Sequence, residues 1–229
     1  MSASSPRGER PAADLSKRVP MIAKLGGSLF ELRDLRERVE RWQTDASAAE
    51  GLLLAGGGPR VDDVRLDQVR CGWTDAEAHW RAIDLMSLAA AEVASRLQLP
   101  RIDARRLDRG VWPEGEGWQV VDATGLLRSV DPLPRDWSVT SDSIAAWLAR
   151  RWRIGRLVLF KSRPAAAPFA SPGDDTTLVD RHFATLLGDG LSVEVVDLRS
   201  EPTIASEARA EFPCSTPEPP SRRTADSGA

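Results

Sequence analysis

Short apolar runs alternate along this chain with stretches whose apolar residues recur every three or four positions. Val19-Pro20-Met21-Ile22-Ala23 reads as a first strand. From Leu29 to Trp42, the residues Leu32, Leu35, Val39 and Trp42 fall on one helical face. Gly51-Leu52-Leu53-Leu54-Ala55 is a second strand, running straight into Gly56-Gly57-Gly58. Thr74-Asp75-Ala76-Glu77 has the form of a capping box and opens a helix to about Leu97. Trp118 to Asp122 reads as a strand, and Trp137-Ser138-Val139-Thr140 leads into a helix with Ile144, Trp147 and Leu148 on one face. Arg156 to Phe160 is a buried strand, residues 177–187 a helix, and Leu191 to Leu198 a last strand. Such alternation predicts an α/β fold with a mostly parallel sheet covered on both faces. Ligands of such sheets bind beyond the carboxyl ends of the strands, where both glycine runs and Lys161 fall.

The two ends break this pattern. Residues 1–18 are rich in Ser, Pro, Ala and Arg, and residues 200–229 carry five prolines among Ser, Thr and Glu. Neither can bury enough apolar surface to offset ordering entropy, so both are expected to be disordered. That leaves 19–199 as one domain of the 229-residue, 25.0 kDa chain. A net charge of −3 argues against nucleic acid or a membrane surface as partner. No apolar run approaches the roughly 20 residues that span a bilayer. Met1 to Arg18 has no hydrophobic signal region, and Cys71 and Cys214 suit a reducing compartment, so the expectation is a cytoplasmic protein. Eight tryptophans without a tyrosine suit core packing better than base stacking, given the acidic balance.

Lysine usage singles out two strand ends. The chain has three lysines among 31 basic residues. Lys24 opens Lys24-Leu25-Gly26-Gly27-Ser28, and Lys161 closes Leu157-Val158-Leu159-Phe160. An ammonium is a compact charge that can follow a moving phosphoryl group, whereas a guanidinium is a planar fork suited to static pairing. Glycines between a strand and a helix let backbone N–H groups approach phosphate oxygens, although such a turn also serves as a tight connection. Gly56-Gly57-Gly58 carries a conformational cost that a close ligand would explain. Thr140-Ser141-Asp142-Ser143 has two readings: capping of the following helix, or an Asp142 that orients the lysines. Lys161-Ser162 is likewise either a solvated strand end or part of a site. His79 and His182 stand apart, no Cys or His cluster has metal-ligand spacing, and no nucleophile-elbow sequence occurs.

The Lys24-x-Gly26-Gly27-Ser28 turn, the Gly56-Gly57-Gly58 turn and Asp142 at a helix start, in this order, resemble the amino acid kinase family over roughly residues 20–198. Three strings resemble more narrowly the branch that includes the archaeal aminomethylfuran phosphate kinase. They are Gly56 to Arg65, His79 to Met86, and Asp136-Trp137-Ser138-Val139-Thr140-Ser141-Asp142-Ser143-Ile144 and the residues following. The resemblance implies a three-layer α/β/α sandwich and an ATP-dependent small-molecule kinase with Mg²⁺ carried by the nucleotide. Lys24 would contact the transferring phosphoryl group and Asp142 would organise the charges. Gly26, Gly27, Ser28, Thr140, Ser141, Lys161 and Ser162 would face ATP. Gly56, Gly57, Gly58, Asp62, Arg65 and His79 would face the acceptor, although Asp62 and Arg65 also read as a surface pair worth little. Family members commonly form homo-oligomers, which the residues themselves do not reveal. One departure stands out: Arg163-Pro164-Ala165 follows Lys161-Ser162, where many members have such a pair before a Val-Asp-Gly segment, and the later Gly-Gly-Met…Lys segment of larger members does not occur.

Overall fold

Four consecutive buried residues, Ile22–Leu25, form β1, and both of its edges are taken. β2 (Gly51–Ala55) pairs with it on one side and β5 (Arg156–Lys161) on the other, both parallel. β3 (Arg101–Asp103), β4 (Trp118–Asp122) and β6 (Ser192–Asp197) complete a six-stranded sheet in the order β3-β4-β2-β1-β5-β6, parallel at every pair. This is a computed structural model, and it describes residues 12–17, 19–111, 117–130, 133–162, 178–188 and 190–200. None of the helices among them is long and apolar enough to cross a membrane.

Parallel neighbours need crossovers, and helices supply them on both faces. They are α1 (Leu35–Asp45), α2 (Arg60–Cys71), α3 (Asp75–Leu97), α4 (Ala104–Asp108), α5 (Thr124–Val130), α6 (Ser141–Arg151) and α7 (Phe183–Leu186). Side chains alternate across each strand, so the core divides in two. Ile22, Leu52, Leu54, Leu157 and Leu159 pack under α6 with Ile144, Ala145, Leu148 and Trp152. Ala23, Leu25, Leu53, Val158 and Phe160 pack on the opposite face against Leu35 and Val39 of α1 and Ala89, Ala90 and Val93 of α3. The capping box at Thr74 is present: Glu77 N–H donates to the Thr74 hydroxyl at 3.3 Å, and the Glu77 carboxylate accepts from Thr74 N–H at 2.8 Å.

Several elements differ from the sequence expectation. The first strand starts at Ile22 rather than Val19, since Pro20 has no N–H for the ladder. The helix expected over Leu29–Trp42 is broken into a 3₁₀ turn, Gly27–Glu31, and α1, because Arg96 draws the Phe30 and Leu32 carbonyls away from helical partners. Of the helix expected over 177–187, residue 177 lies outside the described residues, and only Phe183–Leu186 is helical in the rest. The expected N-terminal arm includes residues 12–17, where Ala13 N–H donates to the Asp108 carbonyl, Leu15 N–H donates to the Trp152 carbonyl, and Leu15 is buried. Of the expected tail, 200–229, Ser200 is described and donates to the Asp197 carboxylate, and residues 201–229 lie outside the described residues. α2, β3, α4 and α5 had no counterpart in the periodicity; α2 buries only Val64, and Leu66 and Val69 face outward.

Candidate active site

β1 and β5 lie side by side with Lys24 opposite Leu159, so Lys161 stands two residues further along the neighbouring strand. Two residues is one strand repeat, and both lysines therefore face the α6 side of the sheet. α6 begins above them. Its N-cap Thr140 accepts from Asp142 N–H at 3.3 Å, which sets Asp142 in the first turn with its side chain toward the sheet. The Asp142 carboxylate bridges both amines: Oδ1 lies 2.9 Å from Lys24 Nζ and Oδ2 2.7 Å from Lys161 Nζ. Asp142 and Lys24 are 4% and 5% exposed, so neither charge is shared with bulk water.

Two cations on one buried carboxylate leave a surplus positive charge. Burial alone pushes the Asp142 acid up, but Lys161 and Lys24 more than offset it and hold the group at about 2. Burial and, more weakly, repulsion from Lys24 bring Lys161 down to about 8 despite its pairing with Asp142. The Asp142 value lies below that of an unfolded carboxyl. Its stabilising contribution is therefore complete above the unfolded value and lost as pH falls from about 4 to about 2. Urea unfolding at pH 5 and pH 2.5 is expected to show that loss.

The two glycine turns meet beside Lys24. Gly26 N–H donates to the Phe160 carbonyl and Gly56 N–H to the Leu25 carbonyl, each at 3.0 Å, so these two amides extend the sheet. Gly27 rests on Gly58, whose φ of +72° is a conformation that favours glycine. A Cβ on Gly27 would lie 2.9 Å from Gly58 Cα, with only backbone there to give way. Gly27→Ala is expected to lower stability by about 1–3 kcal/mol, read by calorimetric melting; an unchanged melting point would show that the turns can separate freely.

A cavity of about 220 Å³ opens from this junction. Lys24, Gly27, Gly56, Gly57, Gly58 and Ser141 form its polar end; Ile83, Met86, Val139 and Ile144 are among its apolar walls, and His79 lines it from α3. Asp62 and Arg65 of α2 reach its mouth, paired at 2.9 Å and exposed, and Arg65 also lies over the Trp137 ring. Lys161, Ser162, Ser28, Gly26 and Thr140 do not share this space uniformly. Thr140 lines the cavity yet spends its hydroxyl on capping α6 and on Asp180. Lys161 lies across Asp142 from Lys24, and Ser162 and Ser28 touch through their hydroxyls at 2.9 Å. Trp80, read as a core residue, is packed on the core with one ring face toward Arg128. Asp180 was missed by sequence reasoning. It follows no glycine turn and precedes no long helix in the sequence, yet its carboxylate accepts hydrogen bonds from Thr140, Ser143, His182 and Phe183.

No protein-family model and no curated protein sequence matches the chain. Solved structures do. The uridylate kinase of Archaeoglobus fulgidus superposes with a TM-score of 0.54 at 15% identity, over 78% of this chain and 90% of that one. The UMP kinase of Bacillus anthracis gives 0.54 at 13% identity, over 83% and 89%. That of Ureaplasma parvum gives 0.51 at 12%, over 79% and 90%. The chain has the amino acid kinase fold. The expected α/β sandwich with a parallel centre is thereby present, and identities this low speak to the fold rather than to what is bound.

Proposed function

We propose that the protein is an ATP-dependent phosphotransferase acting on a small metabolite through a phosphate, carboxylate or similar oxyanion. The observation that carries this reading is the buried Lys24–Asp142–Lys161 centre at the carboxyl ends of adjacent strands, one positive charge in excess. A buried surplus cation beside two glycine turns is suited to an anion. The donor set fits a nucleotide polyphosphate: the two ammonium groups, the Ser28, Ser141 and Ser162 hydroxyls, and the N–H groups of the turns. Mg²⁺, arriving with the nucleotide, would neutralise charge between its phosphates. Among the described residues, no group of three or more His, Cys, Asp or Glu side chains gathers around a common point.

In this reading the acceptor oxygen forms the new bond to phosphorus as the bond to the departing ADP oxygen breaks, and no residue of the chain is phosphorylated. Lys24 follows the transferring oxygens from the end of β1. Asp142 holds both amines in place, and the apolar cavity walls keep water from competing as acceptor. The finer reading places the acceptor in synthesis of a methanofuran-like one-carbon cofactor, and His79, Arg65 and Asp62 on the acceptor side. It is supported by the strings at 56–65, 79–86 and 136–149.

Proton uptake tests the site. A bound anion should restore Lys161 toward an ordinary amine, so Mg-ATP binding at pH 8.5 is expected to draw a proton from solution. Calorimetry in two buffers of different ionisation enthalpy reads this directly. A second reading is a non-catalytic ligand-binding or regulatory protein on the same fold, favoured by the Arg163-Pro164-Ala165 sequence where many members of the resembled family have Val-Asp-Gly. No heat of binding at millimolar Mg-ATP would favour it.

A further inference from the structure

Asp180 lies just before α7 and outside every motif read from the sequence. Its Oδ2 accepts from Thr140 N–H at 2.8 Å, from the Thr140 hydroxyl at 2.7 Å and from Ser143 N–H at 3.1 Å. Its Oδ1 accepts from the Ser143 hydroxyl, from His182 N–H at 3.1 Å and from Phe183 N–H at 2.9 Å. Six donors on one half-buried carboxylate exceed its roughly four lone-pair sites, so some are shared. Four come from the first turn of α6, the turn that carries Asp142. Two come from the start of α7. An ionised group at a helix start is the arrangement that the helix dipole favours.

We propose that Asp180 is a positioning residue for the Lys24–Asp142–Lys161 centre, fixing the first turn of α6 that carries Asp142. Lys161 pairs with Asp142 of α6 at 2.7 Å; Lys24 of β1, on the same carboxylate, repels it, and Asp180 attracts it more weakly than Asp142 does. The register partner of Lys161 on β6 is Asp197, whose carboxylate is taken by Arg199 N–H and by the Ser200 N–H and hydroxyl. Asp142 remains the only carboxylate paired with the two amines, so the centre keeps its surplus positive charge and depends on the α6 turn that Asp180 holds. An incoming anion then displaces no counter-charge, since Asp180 is held by α6 and α7 and is not free to leave. This role rests on the phosphotransfer reading only for its kinetic consequence.

The test uses the full chain labelled with ¹⁵N-lysine, which can give three Nζ signals. In Asp180→Asn the Lys161 titration midpoint is expected to fall by at least half a pH unit. Asp180→Glu is expected to return it, and Ser143→Ala, which removes one donor and no charge, to lower the melting point without moving it. Should Asp180→Asn not fold by circular dichroism, Asp180→Ser carries the same readout. In turnover with Mg-ATP, the basic limb of the pH–rate profile should move down with the midpoint, and KM for Mg-ATP should rise about tenfold. An unmoved Lys161 midpoint in a folded, charge-removed variant overturns the proposal. Absence of turnover in the unsubstituted protein would overturn the phosphotransfer reading instead, leaving the titration to decide Asp180.

Discussion

Lys24→Ala is expected to cut phosphoryl transfer by about a thousandfold while the protein stays folded. The size follows from removing one positioned donor at a developing charge, worth about 10²–10³ where water is excluded. Retention of the fold follows from charge counting. Asp142 keeps Lys161 at 2.7 Å, so no buried carboxylate is orphaned, and the surplus cation disappears. Lys161 should then titrate above its present value of about 8, because repulsion from Lys24 is one of the causes that lowers it. Lys24→Arg should also lose most activity, since a planar fork cannot replace a compact charge between Gly26 and Asp142. Turnover in Lys24→Ala within tenfold of the unsubstituted protein would remove Lys24 from the chemistry.

Asp142→Asn is expected to be the most damaging single substitution for stability. It leaves two buried ammonium groups without their shared counter-charge, and breaking a buried ion pair in this way costs about 3–5 kcal/mol. For a domain of this size, that corresponds to a melting point lower by about 10 °C. The deficit has a pH signature. Lys161 in the folded protein loses its proton near pH 8, so the cost of leaving it unpaired shrinks as pH rises further. Thermal melts at pH 7 and pH 9.5 should therefore converge for variant and parent. A deficit that is the same at both values would show that the damage is steric.

Much of the centre was legible because its residues obey local rules. Lys24 and Lys161 end apolar runs that can only be strands, and Asp142 sits where any helix start accepts an acid. Their meeting follows from a parallel sheet with β1 beside β5. What could not be read was the order of the strands, since periodicity says which face a residue takes and not which strand lies next to it. The same limit hid Asp180, whose six donors come from segments up to forty residues away in the chain. α2 was hidden for another reason: Leu66 and Val69 lie 62% and 85% exposed, so its apolar residues do not mark a buried stripe. Gly26 was read toward ATP and Gly56 toward the acceptor, and the amides of both are taken by the sheet; Gly56 still lines the cavity with Gly27, Gly57 and Gly58.

β1 in the middle of the sheet has a consequence for synthesis on the ribosome. When residues up to β4 have emerged, β1 can pair with β2, but the edge that β5 will occupy is still bare and Lys24 has no carboxylate to meet. Asp142 arrives more than a hundred residues after Lys24, and Lys161 later still. The nascent sheet must therefore keep one side wet until the last third of the protein is made. Stalled chains ending before α6 should accordingly bind chaperones through β1, and chains ending after β6 should release them.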